Sequence, residues 1–266
     1  MRHNSYRRRT AIAASCLATA AVVGLAACGS ENGGRVGTNA ASGTPDGKPR
    51  APFAGLSGAE IAAKAIKATS SAKSFRMTGN APSEASGLDS LDMAYDATGT
   101  CRGWIGKTHT GSMKLVISGE TVYRKYDEAI LRATGSKESA YDVEAAVDLL
   151  AGRWAKTSAT SREGKAFAKF CDSREQLARY IHVGATARRG GATTVDGTPA
   201  IKIIESVGTD EITHYVATKG KPYLLKVDQV SGGKREKYAL TFSDYDKPVK
   251  AKPPTGEVLD LDKPAS

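Results

Sequence analysis

Between Phe75 and Tyr126 the apolar residues fall on every second position, a period that suits half-buried antiparallel strands. Phe75 and Met77 alternate with Arg76 and Thr78, and Leu91, Met93 and Tyr95 alternate with acids and alanine. Met113, Leu115 and Ile117 repeat the pattern before Ser118-Gly119-Glu120 turns the chain into "TVYRKY". The same period returns over 198–206, 211–220, 222–230 and 235–246, where Tyr238, Leu240 and Phe242 share one face. Turn signals separate these runs: Asp196-Gly197, Lys219-Gly220-Lys221-Pro222 and Gly232-Gly233. Helical signals stand before and between them. Ser57 and Glu60 form a capping box ahead of the stripe Ile61, Ala62, Ala65, Ile66 and Ala68. In the middle, Val143, Val147 and Leu150 share a face closed by Gly152, and 153–158 reads as a short strand. Residues 164–181 read as one or two helices, with Ser173 and Gln176 as a second capping box. The order strands, helices, strands predicts an α+β fold with helices gathered on one face of an antiparallel sheet. A sheet of about seven or more twisted strands curls, and helices over its concave side would enclose an apolar space.

The N-terminus carries instructions of another kind. Residues 1–9 hold Arg2, Arg7, Arg8 and Arg9 and no acid, and the 17 residues of 11–27 are uncharged and largely apolar. A basic region, a short apolar region and a small-residue exit are the parts of an export signal. The run is short for a permanent span, since a hydrocarbon core of about 30 Å takes about 20 residues. Leu25-Ala26-Ala27-Cys28 resembles the lipobox of bacterial lipoproteins. That resemblance implies a diacylglyceryl group on the Cys28 sulfur, cleavage just before it, and anchorage by two acyl chains; the alternative is an ordinary signal peptide with a chance cysteine. Three parts follow: a signal peptide over 1–27, the lipidated cysteine and a flexible tether over 28–52, and a folded domain over 53–266. The tether is Gly, Ser, Asn and Pro with almost no apolar content, too little to offset the entropy of ordering it. As a random coil it reaches about 25–30 Å.

Cysteine count and charge narrow the chemistry. Four cysteines fall to three when Cys16 leaves with the leader. With Cys28 lipidated, Cys101 and Cys171 remain as an even pair in an oxidising compartment, and a disulfide between them is expected. The alternative is two unrelated buried thiols. The net charge of +10 falls to +6 when the four leader arginines are removed. The lysines are spread along the chain and the leader would export it, which excludes a nucleic-acid partner.

No constellation of catalytic residues stands out. "CRGWIGKT" (101–108) approaches the phosphate-cradling G-x-x-x-x-G-K-S/T loop, with Gly106, Lys107 and Thr108 in place. Cys101 stands where the first glycine should be, and strand-like sequence lies on both sides, so the stretch reads as a hairpin. His3 leaves with the leader, and His109, His182 and His214 have no metal-ligand spacing. His214 alternates with Ile212 and Val216, as a pocket or core histidine would. Asp244 and Asp246 sit in a terminal turn, where acids cap backbone donors. The sequence therefore predicts no enzyme, no metal and no cofactor.

Residues 196–203, 215–228 and 242–254 resemble the actinobacterial lipoproteins of the LppX/LprG type, as do 117–125, 152–157 and 65–79. The resemblance covers most of 57–261 and extends to the wider LolA-like fold. It implies a curved antiparallel β-sheet (half-barrel), helices packed on its concave face, and an apolar cavity between them. Some members carry lipids, glycolipids or lipoprotein acyl chains. On this chain the candidate lining residues are Phe75, Met77, Leu91, Met93, Tyr95, Met113, Leu115, Ile117, Val147, Leu150, Tyr238, Leu240 and Phe242. Flexible, polarizable methionine suits an adaptable lipid pocket, while the same stripe would also serve as an ordinary core. The loops near 80–90 and 159–165 are the expected rim. Cys101 and Cys171 depart from the pattern of the family's best-known lipid carriers, and a staple between a strand and the helical cap would restrict how far a cavity opens.

The expected function is a membrane-anchored extracytoplasmic lipoprotein that binds a lipid or acyl chain for transport or presentation. The alternative is an envelope protein-interaction or sensor lipoprotein of the same fold without lipid cargo. The expected partners are the membrane through Cys28, a lipid or acyl-chain ligand, and an envelope protein.

Overall fold

A computed structural model describes residues 51–80, 89–135, 138–181, 183–232 and 237–263. The signal peptide, Cys28 and nearly all of the tether lie outside the described residues, as do His182, Gly233 and the 81–88 part of the expected rim.

The domain opens with α1 (Gly58–Ser70), followed by β1 (Ser74–Asn80), β2 (Ser90–Asp96), β3 (Cys101–Lys107), β4 (Gly111–Ser118) and β5 (Thr121–Tyr126). Helices α2 (Glu128–Thr134) and α3 (Ala140–Leu150), strand β6 (Trp154–Ser158), and helices α4 (Arg162–Phe170) and α5 (Ser173–Tyr180) make the middle. Strands β7 (Arg188–Val195), β8 (Thr198–Val207), β9 (Asp210–Ala217), β10 (Leu224–Ser231), β11 (Lys237–Ser243) and β12 (Val258–Asp260) complete it. The twelve described strands join one unclosed sheet in the order β12-β6-β5-β4-β3-β2-β1-β11-β10-β9-β8-β7. Two meanders, β1 to β6 and β11 back to β7, thus meet where β1 pairs antiparallel with β11, Met77 opposite Phe242. Every pairing between these strands is antiparallel except that of β12 with β6. The expected α+β class holds, and the sheet has more strands than the period-two runs predict.

Local chemistry explains the elements. The Ser57 hydroxyl accepts from the Glu60 amide, and the Glu60 carboxylate accepts from the Ser57 amide at 2.8 Å, which completes the predicted capping box. Asp196 and Gly197 both take positive φ, +46° and +76°, as a tight hairpin turn requires, and they join β7 to β8. Two expectations need correction. Ser173 is not the cap of α5: the preceding Asp172 accepts from the Arg174 and Glu175 amides, so Ser173 is already helical and Gln176 turns inward. Carboxylate and hydroxyl compete for the cap there, and the carboxylate stands one residue earlier, where it reaches both amides. The 159–165 stretch is not simply a rim loop, because Ser161 caps α4 and residues 162–165 form its first turn.

Pairing registers fix which side chains share a face. Phe75, Met77, Leu91, Met93, Tyr95, Cys101, Ile105, Met113, Leu115, Ile117 and Val122 point to the side that also carries Leu240, Phe242 and Val227. Helices α4 and α5 cover this face through Phe167, Phe170, Leu177 and Ile181. Helix α1 covers the β8–β9 end, where Ile61, Ala62 and Ala65 pack on Ile201, Ile203 and Val216. Gly103 makes room in this layer, since a Cβ there would stand 2.0 Å from the Asp92 carbonyl and 2.7 Å from the Met93 sulfur.

The opposite, outer face is polar. Arg76 clasps Asp92 through two hydrogen bonds of 2.7 and 2.6 Å. The segment 247–250 crosses this face, and the Arg102 guanidinium donates to the Lys250 carbonyl at 2.8 Å. The chain then reaches β12, beyond which the Asp262 carboxylate accepts from the Thr157 hydroxyl and the Ser158 amide. At the turn after β11, Asp246 accepts from the Lys73 amide, the Tyr223 hydroxyl and the Lys221 ammonium at 2.9, 2.6 and 2.9 Å.

Candidate functional site

The inner face of the sheet brings most of the predicted lining residues together. Phe75, Met77, Leu91, Met93, Tyr95, Met113, Leu115, Ile117, Leu240 and Phe242 are all buried and belong to one apolar cluster under α4 and α5. Phe75 is its aromatic hinge, with ring centroids 5.4 Å from Tyr95 and 6.3 Å from Phe242. Tyr238 continues the same face of β11 but is only half-buried. Val147 and Leu150 stand apart on α3, which packs with α2. Their apolar stripe is that of a helix hairpin whose α2 packs on β4.

The staple lies at the elbow of the cover. Cys101 opens β3 on the inner face, and Cys171 is the residue on which α4 ends, one position before the Asp172 cap of α5. Their sulfurs are bonded, with Cα atoms 5.6 Å apart and the two residues 70 positions apart in sequence. The two covering helices are therefore pinned to the sheet where they meet, while each extends away from that point.

Polar groups interrupt the apolar face in a pattern that the sequence reading misses. Arg124 stands between Val122 and Tyr126 in the inward phase of β5 and is only 1% exposed. The period-two rule applied to "TVYRKY" would place it there. Its Nη1 donates to the Glu163 carboxylate on the first turn of α4 and, at 3.3 Å, to the Tyr126 hydroxyl. The guanidinium lies 4.7 Å from the Phe167 ring centroid and 5.9 Å from that of Tyr126. Among the described residues neither Nε nor Nη2 has a hydrogen-bond partner. Burial, the largest single influence, disfavours the charge on Arg124, but the hydrogen bonds and charges of Glu163 and Tyr126 together outweigh it and raise the pKa. Burial also raises the Tyr126 pKa, against the opposing pull of Arg124. On α5, Gln176 is buried too, and its Nε2 has no partner among the described residues.

Toward the other end of the sheet, His214 is buried on β9 opposite Ile203 and Val227, in the inward phase that its alternation with Ile212 and Val216 predicts. Glu205 is buried beside it on β8 and accepts from the Gly184 amide at 2.6 Å. The 101–108 stretch is a strand and a turn into β4, not a phosphate loop. Among the described residues no group of three or more His, Cys, Asp or Glu is placed to hold a metal ion.

Grooves lie on the outer side. One of about 520 Å³ runs beside Arg76, Arg102, Trp104 and Lys114 under the 247–250 segment, and one of about 490 Å³ lies at the β3–β4 turn. Both are surface features lined in large part by polar residues. No helix among the described residues is long and apolar enough to cross a membrane.

No protein-family model matches the sequence, and no curated protein matches it. Solved structures do. The chain is similar to the lipoprotein LppX of Mycobacterium tuberculosis at 14% identity and a TM-score of 0.47, over 73% of this chain and 98% of that one. It is similar to LprF of Mycobacterium bovis at 16% identity and a TM-score of 0.48, over 75% and 97%. An uncharacterized conserved protein of Thermus thermophilus is similar at 13% identity and a TM-score of 0.33, over 76% and 97%.

Proposed function

We propose that this chain is a lipid-anchored extracytoplasmic lipoprotein whose sheet and helical cover hold an acyl chain or lipid, for transport or presentation in the cell envelope. The observation that carries the reading is the thinness of the cover over a broad apolar face. The inner side of β1–β5 and β10–β11 is continuous and rich in methionine. Among the described residues α4, of nine residues, and α5, of eight, supply most of its cover, with Ile66 of α1 and Tyr245 packed against it as well. Few apolar side chains of this cover, chiefly Phe167, Phe170, Leu177 and Ile181, join the cluster. Separating them from the sheet uncovers a face that an acyl chain can take over, at about 0.8 kcal/mol for each CH₂ buried. Met77, Met93 and Met113 can repack around such a guest because their side chains are unbranched. The helices are pinned at Cys171, so each swings from the elbow rather than leaving the sheet. In this reading the lipobox cysteine Cys28 supplies the anchor and residues 29–52 the reach. No step of the proposed function needs a catalytic group.

Native mass spectrometry on the exported protein, with lipid extraction and with and without reductant, tests the proposal. A stoichiometric lipid that leaves only on denaturation is the expected result and identifies the cargo class. A protein that stays empty after incubation with envelope lipids overturns it. The buried, mutually packed inner face would then be a plain core, and the same fold would serve to dock an envelope protein.

A further inference from the structure

Arg124 is a cation with almost no exposure to water, and among the described residues its carboxylate partner is Glu163, which sits on the helical cover. A buried guanidinium presents five N–H donors in a fixed fork. Here Nη1 is occupied by Glu163 and Tyr126, and the Nε and Nη2 edge has no partner among the described residues. That edge is the one that pairs side by side with the two oxygens of a carboxylate or phosphate. Buried unsatisfied donors are uncommon in folded proteins and call for an explanation. Glu163 is 58% exposed, so it can turn into water without itself losing solvation, whereas Arg124 cannot. Apolar surroundings make the site suit an amphiphile: Leu115 and Ala155 flank Arg124 across the strands, and Phe167 lies over the guanidinium.

We propose that Arg124 is a headgroup subsite of the inner face, its free fork taking the oxyanion of an acyl lipid, which supplies the countercharge that Glu163 withdraws when the cover lifts. The inference rests on the carrier reading and adds a chemical class to it: single-chain or larger lipids ending in a carboxylate or phosphate. When α4 lifts, Glu163 leaves with it, and the charge left behind on β5 is matched by the entering headgroup. The acyl chain then runs along the methionine face, away from Arg124. Loading and opening are coupled, because the entering oxyanion supplies the countercharge lost when the ion pair that holds the first turn of α4 to the sheet is broken.

The test is competition on the full chain by native mass spectrometry in mild detergent, with palmitate, hexadecyl phosphate and uncharged 1-hexadecanol as probes. The expected result is a preference for one or both anions over the alcohol of about tenfold or more, the scale of one or two charge-assisted hydrogen bonds. Whichever anion is preferred separates a carboxylate site from a phosphate site. Arg124→Gln removes the preference, so that palmitate and hexadecyl phosphate are retained no better than 1-hexadecanol. Glu163→Gln, which keeps the side chain's size and a hydrogen-bond acceptor for Arg124, raises anion occupancy severalfold because the internal countercharge is gone. Equal binding of all three probes, unmoved by Glu163→Gln, overturns the subsite and leaves the carrier reading standing. Retention of none of the probes overturns both.

Discussion

Reducing the Cys101–Cys171 bond gives a quantitative test of how the cover is held. The bond closes a loop of 70 residues that contains β4, β5, β6 and helices α2 to α4. Loop closure over that length removes about 15 cal/mol/K from the unfolded chain, or about 4.4 kcal/mol at 25 °C. With a urea dependence of about 3 kcal/mol per molar for a domain of this size, the unfolding midpoint should fall by about 1.5 M on reduction. Both sulfurs are fully buried, so the protein is first reduced in denaturant and then refolded in reductant. The assay is equilibrium urea unfolding of oxidised and reduced protein, followed by far-UV dichroism and by fluorescence of Trp104 and Trp154. Coincidence of the two probes licenses the free energies. Equal midpoints for the two forms would refute the reasoning, because then the loop would confer no constraint on the unfolded chain. A midpoint shift confined to one probe would refute it differently, by showing that the bond stabilises the α4–α5 cover alone.

Other outcomes are expected from the packing and the charges. Ser57→Ala removes the α1 cap and should cost about 1 kcal/mol in the same urea assay. Met77→Ala, at a fully buried inner-face position, should cost about 2–5 kcal/mol; a much smaller loss would mean that the layer collapses around the gap. Gly103→Ala should abolish soluble folded protein, since the added Cβ meets backbone at 2.0 Å, and its recovery as soluble protein with a native dichroism spectrum would contradict this. Hydrogen bonds from Tyr223, Lys221 and the Lys73 amide hold the Asp246 carboxyl well below the usual aspartate range. A depressed folded-state pKa gives stability that is present above the ordinary aspartate value near 4 and is lost as pH falls below it. Asp246→Asn should therefore narrow the stability difference between about pH 6 and pH 3, measured by urea midpoints at each pH.

The legible parts of this fold are those where burial writes a period into the sequence. β1, β2, β4, β8 and β11 each bury residues at alternate positions, and Phe75–Met77, Leu91–Tyr95 and their counterparts announce them. β7 has no such signal because it buries none of its residues: "RRGGATTV" gains its strand character only by pairing with β8. β12 is three residues held by a parallel neighbour, Val258 beside Trp154, a contact across so much chain that no local pattern can announce it. The inner-face stripe is visible as apolar residues, but a lipid pocket and a packed core share one periodicity. The candidate subsite is hidden for a related reason. Arg124 reads as one basic residue among several in "TVYRKY", and its partner Glu163 lies on a helix 39 residues away. Only the phase of the strand, Val122 to Arg124 to Tyr126, hints that this charge points inward.

An unclosed sheet has two free borders, here β7 and β12 among the described strands, and each is an invitation to a further strand from another chain. Both borders decline it. β7 offers Arg188, Arg189 and a Gly190-Gly191 pair where its register with β8 slips, so its free edge is charged and irregular. β12 is too short to template anything, and Asp260, Asp262 and Lys263 crowd its end. A protein partner would then have to approach across a face of the sheet, and crowding the protein should not drive it into fibres.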